Sequence, residues 1–415
     1  MIEVAKDPEA SVANVPNQPE IRRARRTFLA LGAGLAAGAG CETNPTPSES
    51  GAHMRAYGDR SPHEQPVRVI RELTKSLGTG SSRTPLQDLY GIITPSALHF
   101  ERHHAGVPAI NPAEHRLLIH GLVDKPLSFS LDDLKQFPSL SKVHFLECAG
   151  NIVGDNNGNP PPTVQQSMGL VSCSEWTGVS LARVLAETGV RPEAKWVIAE
   201  GADAGRMARS IPIEKILDDA FLAYGQNGEA LRPEQGYPLR LLLPGWEGNA
   251  NVKWVHRLEL AAEPAMSVKE TAYYTELTPD GKARQFSFVI DARSVITRPS
   301  GGHRLRGPGF QEVTGIAWTG HGRITRVEVS FDGGAAWTDA ELQSPVLPRA
   351  LTRFRAPWQW DGKETILQSR CTDETGYVQP SHDQFIAAYG RFAGYHYHAI
   401  KSWRVTASGE VLAHA

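Results

Sequence analysis

The sequence predicts an α+β protein in which a mixed α/β domain is followed by a β-sandwich of immunoglobulin-like type. The chain has 415 residues, and at about 150 residues per domain this length allows two or three domains. Residues 84–284 mix strand patterns with short helix patterns, whereas residues 285–415 show short alternating strands separated by turn residues. An N-terminal signal over 1–40 and a linker or extension over 41–83 are expected to precede the two domains.

The N-terminal forty residues have the features of an export signal. The stretch "RRARRTFLALGAGLAAGAG" (22–40) begins with four arginines and continues as an uncharged run rich in Gly and Ala. This run lacks the roughly 20 strongly apolar residues that would span a bilayer. Arg25-Arg26 followed by Thr-Phe-Leu matches the twin-arginine type of signal, which exports folded proteins. The sequence therefore predicts a periplasmic protein without a membrane span, with a polar linker over 42–62.

Composition excludes several classes of function. The formal net charge is −2, and no basic stripe is visible, so a nucleic-acid-binding role is not expected. Four cysteines are too few for a disulfide framework in a chain of this length. The sequence contains no Cys-x-x-Cys-His motif, so we expect no covalently attached haem in this chain.

Two helices and a buried strand are predicted within the first domain. One helix begins at Ser130, which forms a capping box with Asp133. A second begins at Ser180, with Gly189 expected as its C-terminal cap. The apolar stretch "YPLRLLLPGW" (237–246) is typical of a fully buried strand between two turns.

The second domain is predicted from hydrophobic alternation. In "ITRVEVSFDGGAAWTDAEL" (324–342), apolar residues alternate before Asp332-Gly333, which is a hairpin signal. Three further stretches repeat the pattern of short strands between turn residues: 286–296, 365–376 and 399–411. Strands at this spacing predict an all-β sandwich.

A single cysteine follows a short apolar strand in "VHFLECAGN" (143–151). Gly150-Asn151 predicts a turn directly after the strand, so Cys148 would lie at the mouth of the strand. Three interpretations of Cys148 remain open from its residue type alone: a small buried hydrophobe, a nucleophile with a nearby histidine, or a thiolate metal ligand.

Three other loops carry cations or backbone amides. In "LHFERHHAGVP" (98–108), the histidine spacing matches no standard zinc pattern, whereas Arg102 beside two histidines suits an anion. The loop "GADAGRMARSIPIEK" (201–215) is polar and is expected to precede a helix directly. In "RLLLPGWEGNANVKW" (240–254), Gly and Asn allow close backbone approach, and Arg240 and Lys253 add positive charge. Together with the cysteine loop they predict the lining of a phosphorylated cofactor site.

These motifs resemble the sulfite oxidase family of molybdenum enzymes. The resemblance runs from about residue 84 to the C-terminus. It rests on "FERHH", "ECAGN", "GADAG…SIP", "YPLRLLLPGWEGNANVKW" and "GIAWTGHGRITRVEVSFDGGAAW". The resemblance implies a molybdopterin-binding domain followed by an immunoglobulin-like dimerisation domain, and a molybdenum-molybdopterin cofactor.

The resemblance also assigns site residues. Cys148 is implied as the molybdenum ligand, Arg102 as the cation of the substrate pocket, and Tyr274 rather than Tyr273 as the tyrosine that faces the metal. Gln235 stands where many relatives have histidine. The residues implied to hold the cofactor are Phe100, Glu101, Arg102, His103, His104, Cys148, Asp203, Gln235, Arg240, Asn251, Val252 and Lys253.

One departure bears on the substrate. Animal members of the family continue the cysteine motif with two arginines, whereas this chain has Ile152 and Val153. Loss of arginine weakens a site for free sulfite, a dianion. The missing arginines and the C-terminal stretch "YHYHAIKSWRVTASGEV" (395–411) together resemble most the sulfane dehydrogenase branch of the bacterial Sox thiosulfate-oxidising systems. The implied activity is oxo transfer to sulfane sulfur on a carrier protein, or to sulfite.

The resemblance implies partners, and alternatives stay open. A homodimer formed through the second domain and a separate c-type cytochrome as electron acceptor are expected. Within the family, the alternatives are a plain sulfite dehydrogenase acting on free sulfite and a sulfoxide reductase. Outside the family, the alternatives are a periplasmic binding module without a redox role and a cysteine hydrolase. Metal content of the purified protein distinguishes the binding module from the enzymes.

Overall fold

The computed structural model describes residues 54–72, 78–152, 159–390 and 394–414. The chain divides into a unit over Met1–Ser61 and a unit over Pro62–Ala415. In the first unit only residues 54–61 are described, and they form neither helix nor strand. The expected export signal over 1–40 lies outside the described residues. None of the helices in the described ranges is long and apolar enough to cross a membrane.

The mixed α/β part combines three sheets with short helices. Its strands are β1 Val69–Glu72, β2 Gly80–Arg83, β3 Glu101–His103, β4 Leu117–Gly121, β5 Leu127–Phe129, β6 Ser139–Glu147, β7 Val171–Ser180, β8 Trp196–Gly201, β9 Ala208–Pro212, β10 Phe221–Gln226, β11 Glu229–Ala230, β12 Arg240–Leu242 and β13 Val255–Ala261. Its helices are α1 Leu131–Lys135, α2 Val164–Met168, α3 Leu181–Ala186 and α4 Ile213–Asp218. Short 3₁₀ turns occur at Leu86–Asp88, Ser96–Leu98 and Pro233–Gln235.

These strands form three sheets in which most neighbours are antiparallel. The orders are β1-β2-β3, then β11-β10-β7-β6 with β12 also paired to β10, then β5-β4-β13-β8-β9. Strand β13 runs parallel to β4 and antiparallel to β8. The mixture of short helices with largely antiparallel sheets confirms the predicted α+β class.

The second part is the predicted sandwich. A π-helical turn, Lys269–Tyr273, and a small hairpin, β14 Glu276–Leu277 with β15 Ala283–Arg284, precede it. Its strands are β16 Arg293–Arg298, β17 Gly309–Trp318, β18 Ile324–Ser330, β19 Thr338–Asp339, β20 Glu341–Gln343, β21 Thr352–Trp360, β22 Thr365–Asp373, β23 Ser402–Val405 and β24 Val411–His414. They form two sheets, β16-β17-β21-β20 and β19-β18-β22-β23-β24. Helix α5, His382–Tyr389, precedes β23.

Of three predictions about single turns and helix ends, two are confirmed and one was wrong. The Ser130 capping box is confirmed, because Ser130 Oγ accepts from Asp133 N and the Asp133 carboxylate accepts from Ser130 N. The hairpin across Asp332-Gly333 is confirmed, since β18 pairs with β19. The prediction for Gly189 was wrong: α3 ends at Ala186, and Gly189 turns the chain beyond it with φ of +67°.

Two further predictions were wrong in part. They concerned the length of one strand and the element that follows one loop. Only Arg240–Leu242 within 237–246 forms strand β12. The loop after β8 does not lead directly into a helix, because β9 intervenes and pairs with β8 before α4 begins. Residues 201–215 therefore form a β-hairpin followed by a helix.

The expected extension over 41–83 contributes to the folded domain. Strands β1 and β2 lie within it, and β2 pairs with β3, which carries part of "FERHH". The edge of the cofactor domain is thus built partly by residues that precede the family's recognisable motifs.

A shared core joins the two parts. Phe145 and Cys173, from β6 and β7, belong to the same buried cluster as Ile316 and Trp318 from β17. A second cluster fills the space between the β4–β13–β8 sheet and helices α3 and α4. The sandwich is therefore packed directly behind the strand that ends at Cys148.

Three buried histidines predict loss of stability in mild acid. Burial lowers the pKa of His99 to about 3 and those of His144 and His398 to about 4. Above the unfolded pKa of about 6.5 both states are neutral, so these residues have no effect there. As pH falls from 6.5 towards 4, the unfolded chain binds protons that the folded chain does not, so the free energy of unfolding should fall. Each histidine contributes on the order of 1 kcal/mol per pH unit.

Urea unfolding at several pH values between 7 and 5 measures the slope of the free energy of unfolding against pH. His144→Leu removes one titrating group from the core and should reduce the slope by the contribution of one proton. Equal slopes for the wild type and the variant would contradict the assignment of His144 as a histidine that stays neutral when buried.

Candidate cofactor and active site

Cys148 lies directly after the buried end of β6. Its backbone N–H donates to Leu170 O at 3.0 Å, which continues the pairing with β7. Its carbonyl accepts from Asn151 N at 2.9 Å, which closes the predicted turn. Cys148 is a free cysteine of intermediate burial that lines a cavity. Burial raises the pKa of the Cys148 thiol, and a metal at this position would replace the thiol proton.

The residue before Cys148 is held by the sandwich. Glu147 is fully buried; its Oε1 accepts from Arg293 at 2.7 Å, and its Oε2 accepts from Trp318 Nε1 at 2.8 Å. Asn151 donates to the same carboxylate at 2.8 Å. Both ends of the Cys148 turn are therefore tied to one buried carboxylate.

The loop from "GWEGNANVKW" packs against this turn. Gly248 N donates to Glu147 O at 2.6 Å, and a Cβ at Gly248 would lie 2.9 Å from that oxygen. Only glycine fits such an approach without displacement. Asn251 shapes the same loop, because its amide bonds Leu243 N, Trp246 O and Glu247 O.

The "FERHH" segment forms the opposite wall. Glu101 Oε2 is hydrogen-bonded to His103 Nε2 at 2.7 Å. Lys253 Nζ lies 2.9 Å from Nδ1 of the same ring. Gln235 donates to Phe100 O at 2.8 Å. Gln235 O also accepts from Arg240 at 2.9 Å, so Gln235 joins this wall to β12.

Arg240 is a buried basic side chain, and Lys253, which is half-buried, lies next to it. Their backbones pair across a β-bridge. Burial lowers the pKa of Arg240 to about 9, and burial together with Arg240 holds the pKa of Lys253 well below its usual range. In the described ranges, no carboxylate lies within ion-pair distance of either side chain. A buried cation with a second cation beside it and no paired anion is costly, so the site favours an anionic ligand.

Tyr274 closes the cavity near Cys148. Its hydroxyl is hydrogen-bonded to His104 Nε2 at 3.1 Å, and the guanidinium of Arg209 lies 4.9 Å from its ring centre. Burial raises the pKa of Tyr274, so its phenol stays protonated. Burial, followed by Arg102, lowers the pKa of His104 to about 3, so this histidine is neutral. Tyr273 is 48% exposed and does not line the cavity.

One cavity brings together the site residues named from the sequence. It is lined by Phe100, Glu101, Arg102, His103, His104, Cys148, Asp203, Gln235, Arg240, Asn251, Val252, Lys253 and Tyr274. Sequence reasoning missed Met207, Gly248, Asn249 and Trp254, which also line it. All four lie inside the loops 201–215 and 240–254, so their position within these motifs could have identified them as lining residues.

Sequence reasoning also missed a buried charge cluster behind Tyr274. Arg209 pairs with Glu247 at 3.1 Å and with Glu270 at 3.7 Å. His396, from the C-terminal "YHYH" segment, lies 3.1 Å from Glu247 and donates its backbone N–H to Ala149 O at 2.9 Å. The C-terminal segment thus reaches the cysteine turn. No periodicity in the sequence indicates this long-range pairing.

The residues present suit a phosphorylated pterin. Arg240 Nε and Asn249 Oδ1 are buried without a hydrogen-bond partner, and such groups are normally satisfied by a ligand or water. The adjacent cations suit a phosphate, and the Cys148 thiol suits a soft metal. No three His, Cys, Asp or Glu side chains converge as a metal site within the described residues.

Comparisons with known proteins agree with this site. Residues 104–269 match the oxidoreductase molybdopterin binding domain, and residues 284–402 match the Mo-co oxidoreductase dimerisation domain. Rat mitochondrial sulfite oxidase is 32% identical over 314 residues, which cover 69% of this chain and 57% of the rat protein. Chicken sulfite oxidase is 31% identical over 313 residues, which cover 69% of this chain and 68% of the chicken protein. The chain therefore spans little more than half the length of the rat relative.

A solved structure is also similar. The crystal structure of the sulfane dehydrogenase SoxCD from Paracoccus pantotrophus matches with a TM-score of 0.85 and 46% identity, covering 90% of this chain and 97% of that chain. The fold, the cavity and these matches define a molybdopterin-binding protein of the oxidoreductase class. Within that class, the chain belongs to the sulfite oxidase family.

Proposed function

We propose that this protein is a periplasmic molybdenum oxidoreductase that oxidises sulfane sulfur on a carrier protein, or sulfite. The observation that carries the proposal is the free cysteine Cys148, which lines a cavity together with Arg102, Lys253 and Tyr274. The 46% identity to a sulfane dehydrogenase supports the sulfane substrate.

The chain's residues have separate tasks in this reaction. The sulfur atom gains one oxygen that derives from water, and two protons and two electrons are released. The cofactor supplies the oxygen-transfer and electron chemistry. Cys148 would hold the metal, and Arg102 neutralises the anion that enters or forms. Tyr274, protonated and hydrogen-bonded to neutral His104, offers a phenol in the cavity that Cys148 lines.

The choice between sulfane sulfur and free sulfite rests on the residues after Asn151. Ile152 occupies one of the two positions where animal members have arginine, and its side chain is 3% exposed within the hydrophobic core. It therefore supplies no charge to the cavity. Loss of arginine from the cysteine motif itself suits a sulfur that is attached to a carrier better than a free dianion.

Electron release requires a further protein. The 415 residues contain no covalent haem motif, and we propose a separate c-type cytochrome as acceptor. The match to the Mo-co dimerisation domain supports a homodimer through the sandwich. The twin-arginine stretch at 22–40 supports export of the folded protein to the periplasm.

A substrate panel tests the proposal. The purified protein, with its cytochrome supplied, is given sulfite, thiosulfate or a carrier protein with a persulfidated cysteine, and reduction of the cytochrome is recorded. The expected order of kcat/KM places the persulfidated carrier first. Faster turnover of sulfite would instead identify a sulfite dehydrogenase. Turnover of none of these substrates by protein that contains molybdenum would overturn the proposal.

Arg102→Gln tests the charge of the substrate pocket. Loss of one charge-assisted contact to a partly desolvated anion should lower kcat/KM by about 10- to 100-fold. Arg116→Gln is the matched control, because Arg116 is exposed and bonds only backbone carbonyls of its own loop. An unchanged kcat/KM in Arg102→Gln would show that another residue supplies the positive charge of the substrate pocket. Lys253 and Arg206 are the next candidates.

A further inference from the structure

A second cavity of about 540 Å³ opens beside the cofactor cavity. The two cavities share Arg102, His104, Cys148 and Tyr274 as lining residues. The outer cavity therefore leads to the thiol of Cys148. One of its walls is formed by β1 and β2, the hairpin that the sequence did not predict.

The strand register places three arginines on one face of the β1-β2-β3 sheet. Arg71 is paired with Ser81, and Ser81 is paired with Arg102, so these three side chains form one row across the sheet. Arg83 lies two residues beyond Ser81 on the same strand and hence on the same face. All four residues line the outer cavity.

The outer cavity is strongly cationic. Lys269 lies on its other side, with its amine 4.4 Å from the ring centre of Tyr273. Arg71, Arg83, Arg102 and Lys269 supply four positive charges, and the described residues that line the cavity include no Asp or Glu. A cleft with charge of one sign raises the local concentration of oppositely charged ligands.

The cavity is larger than a small anion requires. Its volume is about 540 Å³, whereas sulfite has only four non-hydrogen atoms. The space accommodates an anion together with the group that carries it.

We propose that Arg71 and Arg83 form an outer anion subsite that captures an anionic sulfur group before Arg102 receives it at the reaction centre. This inference rests on the proposed function, since it places a second anion-binding step on the path to Cys148. The shared ligand chemistry is an anionic sulfur group, either free as sulfite or attached to a carrier cysteine as a persulfide.

Sulfate binding tests the subsite without turnover. The purified full-length protein is titrated with sodium sulfate in a calorimeter at low chloride. Arg71→Gln/Arg83→Gln should weaken sulfate binding by about tenfold, whereas Arg116→Gln, an exposed arginine on the same domain, should leave it unchanged. Equal sulfate affinity in the wild type and the double variant would overturn the subsite, whatever the enzyme oxidises.

Steady-state kinetics identify the source of the anion. For the double variant, kcat/KM should fall about 5- to 20-fold at low ionic strength through KM, and the loss should shrink in high salt. A loss with sulfite as well as with the persulfidated carrier indicates capture of free anions, and a loss with the carrier alone indicates an anion that arrives attached. A fall in kcat that is independent of salt and accompanied by a lower Tm would show a structural role and overturn the subsite.

If the wild type oxidises neither substrate, the proposed function fails, while the sulfate titration still tests the subsite. The two failures are therefore distinguishable.

Discussion

Cys148→Ser is expected to abolish sulfur oxidation while leaving the fold intact. Loss of an outer partner of a metal ligand already costs 10- to 100-fold, so loss of the ligand itself should cost at least about 100-fold in kcat/KM. Serine is close to cysteine in size, and Cys148 is of intermediate burial, so the free energy of unfolding should change little. The measurement is cytochrome reduction over a range of substrate concentrations, which gives kcat and kcat/KM, with urea unfolding as the control for stability.

Cys173→Ala is the matched control for loss of a thiol. Cys173 is fully buried on β7, where burial raises its thiol pKa to about 12, and it does not line the cavity. Its replacement should lower stability modestly and leave kcat/KM unchanged. Near-normal activity of Cys148→Ser would contradict the assignment of Cys148.

Glu147→Gln is expected to destabilise the protein more than any single change at an exposed charge. The Glu147 carboxylate and the Arg293 guanidinium are both 0% exposed and lie 2.7 Å apart. Neutralising one partner leaves the other charge buried and unpaired, which costs about 3–5 kcal/mol. Because Glu147 also accepts from Trp318 and Asn151, the variant should loosen the Cys148 turn and lower kcat. Urea unfolding and kcat are measured together.

Two further variants distinguish the effect of the buried ion pair on stability from the effect of general packing. Arg326→Gln breaks an exposed pair with Asp339 at 2.6 Å and a contact at 3.1 Å with Glu328, which keeps Arg370 as a partner at 2.8 Å, and should change stability little. Glu147→Gln/Arg293→Met removes both buried charges and should recover part of the loss. A loss for Glu147→Gln as small as that for Arg326→Gln would show that the buried pair does not hold the two domains together.

The structure brings the site residues that the sequence predicted into one cavity. Phe100 through His104, Cys148 and Lys253 were named because their short motifs, rich in Gly, Asn and cations, resemble those of the sulfite oxidase family. Helix α1 was predicted because its capping box is a local signal. The α3 boundary was misplaced because Gly189 at positive φ marks the end of a longer turn rather than the helix cap.

Features that depend on pairing between distant residues could not be predicted. Strands β1 and β2 carry no strong alternation, and their strand character comes from the pairing of β1 with β2 and of β2 with β3. The contact between Glu147 and Arg293 joins residues 146 positions apart. His396 reaches Glu247 across a separation of 149 positions. Such contacts follow from tertiary packing, which hydrophobic periodicity does not encode.

The molybdenum X-ray absorption spectrum of the purified protein and of Cys148→Ser tests the central claim most directly. If Cys148 ligates the metal, the wild type contains molybdenum, and its coordination shell has one more sulfur neighbour than that of the variant. Cys173→Ala should give the wild-type spectrum. An identical sulfur shell in the wild type and in Cys148→Ser would show that the thiol at the end of β6 does not bind the metal.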